Sequence, residues 1–122
     1  MFYPNFSSSL TIKHVLLISN AIAELTFDCI DRIVSGICMQ LNCDSLKLAE
    51  EIRNDNEFRE NVMDMIVDAE KECKKKVLTE QGIEEADFIL FNIKNRTSEQ
   101  LTNGLNAIDE KKQEKLKDLG LL

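Results

Sequence analysis

Glu57, Glu60, Asp64 and Asp68 recur at spacings of three and four residues, which sets four carboxylates along one side of a helix. Like charges at that spacing destabilise a helix by a few tenths of a kcal/mol per step, so the stripe invites compensation from a cation or a basic partner. A solvated helix face explains the same four residues without any partner. A di-iron carboxylate bundle needs a Glu-x-x-His pair from each of two helices, and His14 is the only histidine. Standing alone in sequence, His14 has no orienting group beside it and reads as a surface or structural residue.

Cys29, Cys38, Cys43 and Cys73 lack the paired Cys-x-x-Cys spacing of a structural zinc site. They read as reduced thiols, Cys29 and Cys73 as small apolar core residues and Cys43 as an exposed turn residue. No phosphate-binding glycine loop, nucleophile elbow or His-Glu-x-x-His motif occurs. Neither a catalytic site, a cofactor nor a metal is therefore expected.

The elements that would carry these residues are helices. Four Gly and a single Pro, Pro4, in 122 residues leave few interruptions, and 43% hydrophobic beside 30% charged residues suits one globular core. The predicted fold is all-α, a compact bundle of about five helices, with a loose arm over residues 1–8 and one domain over 9–122. Ser9 or Thr11 is placed to cap a long first helix whose apolar positions, including Ile12, Val15, Leu16, Ile22, Ile30, Ile33, Val34, Ile37 and Leu41, recur at helical spacing. Its apolar first half marks it as the central and most buried element. Thr26-Phe27-Asp28 leaves open whether it is one helix or two.

A short helix follows from Asp44 or Ser45 to Arg53, with Leu46, Leu48, Ala49 and Ile52 as its apolar residues. Asn54-Asp55-Asn56 caps a longer one that ends at Gly82. The apolar run Phe88 to Ile93 is as consistent with a strand as with a helix by periodicity. A lone strand would have no partner for its backbone groups, so a helix is expected. Thr97 or Ser98 opens the last helix, in which Leu101, Leu105 and Ile108 face inward before the stripe lapses into charged residues. Gly120 fits a left-handed helix end with Leu121 folding back on Leu116.

A net charge of −7 disfavours phosphate backbones and anionic lipid surfaces, and Glu24, Asp28, Asp31 and Arg32 interrupt the longest apolar stretch, so no membrane span is expected. The start lacks the basic region of a signal peptide, which favours a reducing intracellular location despite the sequons at Asn5 and Asn95. Elimination then points to a protein-binding module: a subunit, adaptor or regulator acting through helical surfaces. Its candidate contacts are the acidic stripe, Met63 and Val67 off the main apolar stripe, and an apolar tip of Leu119, Leu121 and Leu122 suited to a groove. Met63 and Val67 fit packing within the bundle equally well, and the tip fits a simple helix end. The partner expected is another protein with a basic or grooved apolar surface, with a homodimer as an option. The alternative is a nucleic-acid-associated regulator built on the helix-turn-helix outline at 45–68, disfavoured because Glu57, Glu60 and Asp64 would face phosphates. A ligand carrier with a pocket among the Phe and Met residues is the third reading.

Overall fold

Thr11 opens the first helix: its side chain accepts a hydrogen bond from the His14 backbone N–H at 3.1 Å, satisfying a donor that every helix start leaves free. In the computed structural model, which describes residues 10–122, α1 runs unbroken over Ile12–Leu41. The proposed arm and the alternative cap Ser9 lie outside the described residues. Thr26 does not split the helix, because its buried hydroxyl donates to the Ile22 carbonyl at 2.7 Å, one turn back in the same helix.

Four further helices follow: α2 over Ser45–Asn54, α3 over Asn56–Glu80, α4 over Glu85–Lys94 and α5 over Glu99–Asp118. Among the described residues there is no strand, and the run from Phe88 to Ile93 is helical. Asp44, Asp55 and Ser98 cap α2, α3 and α5, accepting from the N–H groups of Lys47 (2.8 Å), Phe58 (3.1 Å) and Leu101 (3.2 Å). Asp55 is the entire joint between α2 and α3. Asp55→Ala is expected to lower unfolding free energy by about 1 kcal/mol, read as a shifted urea midpoint with unchanged slope. An unshifted midpoint would show that the cap is dispensable.

Three helices end alike. Asn42, Gly82 and Gly120 have φ of 53°, 69° and 82°, in the left-handed region. The next residue's N–H reaches back five positions: Cys43 to the Cys38 carbonyl at 3.0 Å, Ile83 to Leu78 at 2.9 Å and Leu121 to Leu116 at 2.9 Å. Each reversal returns a side chain to the apolar interior, as the sequence predicts for Gly120 and Leu121.

The three long helices run up, down and up. Leu16 lies against Gly104 and Asp31 against Lys115, so α1 and α5 are parallel; α3 descends between the same two ends. One apolar cluster gathers Val15 and Ile18 of α1, Val77 and Leu78 of α3 and Leu101 of α5, closed by Phe88 of α4. The other joins Ile30, Val62, Ile66 and Leu116, closed by Leu48 and Ile52 of α2. The short helices thus plug opposite ends of a three-helix bundle.

Several expectations about burial are corrected. α1 packs against α2, α3 and α5, but it is not the most buried element: Met39 is 82% exposed, and Leu17 and Leu41 also face outward. A 30-residue helix extends about 45 Å, and two long neighbours cannot surround it along that length. Leu46 is 81% exposed, and Ile89, Leu90 and Ile93 face away from the bundle, since a short plugging helix turns one side inward. The charged part of α5 lies on the bundle. Lys112 pairs with Glu70 at 2.5 Å, Lys115 pairs with Asp31 at 2.7 Å and stands 5.8 Å from the Phe27 ring centre, and Leu116 is 1% exposed. Lys74 likewise makes its contacts between helices, reaching Glu85 at 3.5 Å and lying 5.9 Å from the Phe88 ring centre.

Candidate interaction surface

At 100° per residue, Glu57, Glu60, Asp64 and Asp68 fall on the side of α3 opposite Val62, Ile66, Cys73 and Val77, its buried residues. All four carboxylates are exposed, and among the described residues none enters a hydrogen bond or an ion pair. Repulsion along the stripe is therefore not offset by a direct ion pair within the described chain. Val67 and Met65 are exposed on the two flanks, giving the acidic face an apolar border on each side. Met65 was missed by sequence reasoning; its angular offset from Val62 and Ile66 was the available signal. Met63 is half-buried and packs against the second cluster.

The C-terminal tip is taken apart by the structure. Leu121 is 6% exposed and belongs to the second cluster, and Leu119 is half-buried against it. The helix end turns Leu121 inward, so of the three leucines only Leu122, 59% exposed, is free for a partner. The candidate contacts therefore divide: Glu57, Glu60, Asp64, Val67 and Asp68 share one outward surface, while Leu119 and Leu121 belong to the interior.

The helix-turn-helix outline at 45–68 is present as two helices around Asp55, with Glu57 and Glu60 exposed in the first turns of the second. Those carboxylates repel the phosphates that such a helix must approach. His14 is half-buried in the first turn of α1. Among the described residues, no three His, Cys, Asp or Glu side chains converge as a metal site requires, and no helix is long and apolar enough to cross a membrane. The larger concavities are open grooves between helices, one of them between α1 and α3 around Leu25, Cys29 and Cys73.

The four thiols fall into two neighbourhoods. Cys38 and Cys43 flank the end of α1, where Cys43 is half-buried and not the exposed turn residue expected. Desolvation raises the Cys38 thiol above its ordinary pKa, reinforced by Cys43 and Asp44. Cys73 is buried, as expected, while Cys29 is half-buried, and their sulfurs lie 3.6 Å apart. No family model matches this chain, and no curated protein or solved structure is detectably similar to it.

Proposed function

We propose that this chain is a non-catalytic binding module of the cell interior, an adaptor, subunit or regulator, whose outer α3 face receives a basic protein partner. The observation that carries this reading is the row of four exposed carboxylates without an ion pair among the described residues. Cationic side chains laid along that row would relieve its repulsion, while Met65 and Val67 on its borders add apolar contact. Charge complementarity of this kind speeds encounter and fixes register, and it weakens with salt.

The test combines Glu57→Gln, Glu60→Gln, Asp64→Asn and Asp68→Asn in one variant. Stability should change by less than about 1 kcal/mol, because the lost repulsion and the lost favourable interaction of Glu57 with the helix start are both small. Proteins that co-purify stoichiometrically with the wild type from its own cells after nuclease treatment should be lost by the variant and should dissociate as salt rises. Recovery of the same partners in the same amounts by both forms would refute the assignment of this face. Partners released by nuclease alone would refute the protein-binding reading and favour nucleic acid.

A further inference from the structure

The two apolar clusters do not merge. Between them lies a more polar waist, where Thr26 is buried, Glu70 meets Lys112 and Cys29 of α1 faces Cys73 of α3. We propose that Cys29 and Cys73 form a peroxide-sensitive dithiol that closes to a disulfide and covalently ties α1 to α3.

Three features of the geometry support this. The sulfurs are 3.6 Å apart, so bonding requires an approach of only about 1.5 Å, within reach of small side-chain rotations. They are differently placed: Cys29 is half-buried and Cys73 is 4% exposed. The pair also lines an open groove, bordered by Arg32, Glu72, Lys75, Lys76 and Glu80, through which a small oxidant can reach it. Burial holds the Cys73 thiol above its ordinary pKa, and the adjacent Cys29 sulfur adds to this, outweighing Lys76 and the Thr26 hydroxyl, which pull it down. Cys73, the more deeply buried of the two, therefore acts second.

The sequence of events follows from that asymmetry. The Cys29 thiolate attacks one oxygen of hydrogen peroxide, the O–O bond breaks, and a sulfenic acid forms as hydroxide leaves and takes up the proton released by the thiol. The Cys73 sulfur, giving up its proton, then attacks the Cys29 sulfur; the S–O bond breaks and a second water departs. Two thiols are oxidised by two electrons in all, and one peroxide is reduced to two waters.

The full-length chain, fully reduced, is titrated with hydrogen peroxide, alkylated and digested without reductant. At the lowest effective dose it should lose two of its four thiols and about 2 Da, yield a peptide joining Cys29 to Cys73, and regain both thiols with dithiothreitol. The linkage should form equally in a Cys38→Ser/Cys43→Ser variant, while Cys73→Ser should leave a sulfenic acid on Cys29 that dimedone traps. Separate alkylation of Cys29 and Cys73 in the oxidised wild type would overturn the proposal, as would a first bridge between Cys38 and Cys43. Both readouts use the wild-type chain, so they hold even if a variant misfolds.

Discussion

Gly120→Ala is expected to lower the unfolding free energy by about 3 kcal/mol and the melting temperature by roughly 10 °C. Two costs combine. Gly120 sits at φ 82°, where a Cβ crowds the following carbonyl at a cost of about 1–2 kcal/mol. A Cβ there would also lie 2.5 Å from the Ala49 carbonyl oxygen and 3.0 Å from the Arg53 Cγ, against the backbone and a side chain of α2. Backbone cannot swing aside as a side-chain tip can, so α2 and the α5 terminus must separate. Gly36→Ala is the internal control: its added Cβ meets nothing within 4 Å and lies within α1, five residues before its end, so helix propensity should make it neutral or stabilising by up to about 1 kcal/mol. Thermal and urea unfolding of the two variants side by side would decide the matter. Equal stability would mean that the end of α5 is not held as described.

The second large effect separates neighbouring leucines. Leu121→Asp should cost about 4 kcal/mol, because it removes a buried side chain from the second cluster and sets a carboxylate among that cluster's apolar side chains. Leu122→Asp, at an exposed position, should change stability by less than about 0.5 kcal/mol. A shared effect on partner binding, with the fold intact in both, would restore the reading of these residues as a free tip. Unfolding confined to Leu121→Asp would place that residue inside the bundle in solution as well.

Why Leu121 was misjudged shows how far the sequence is legible. The left-handed Gly120 and the return of Leu121 toward Leu116 follow from local rules, and the structure contains both. What local rules lack is the destination: the return buries Leu121 only because α2 lies beneath it, and that depends on which end of the bundle α5 reaches. The caps at Asp44, Asp55 and Ser98 were readable for the same local reason, since each acts within three residues of itself. The continuity of α1 was left open because Thr26 has competing uses for its hydroxyl, and tertiary burial selects the intrahelical one.

The acidic stripe was wholly visible, because spacing along one helix determines its face. Its freedom from ion pairs was not, since that depends on Lys112 and Lys115 reaching Glu70 and Asp31 instead. The cysteines carry the same lesson. Cys38 and Cys43 are near neighbours in sequence, whereas the 3.6 Å contact joins residues separated by 44 positions and leaves no trace in spacing.

The parallel pairing of α1 with α5 has a consequence for how the chain is made. Asp31 and Lys115 are 84 positions apart, so the strip of α1 that α5 covers has no partner while the intervening helices emerge from the ribosome. Ile30 cannot complete its packing until Leu116 has been synthesised. Throughout elongation the nascent chain therefore presents an apolar strip to the surrounding solution, and it is during that interval that chaperones would have reason to hold it.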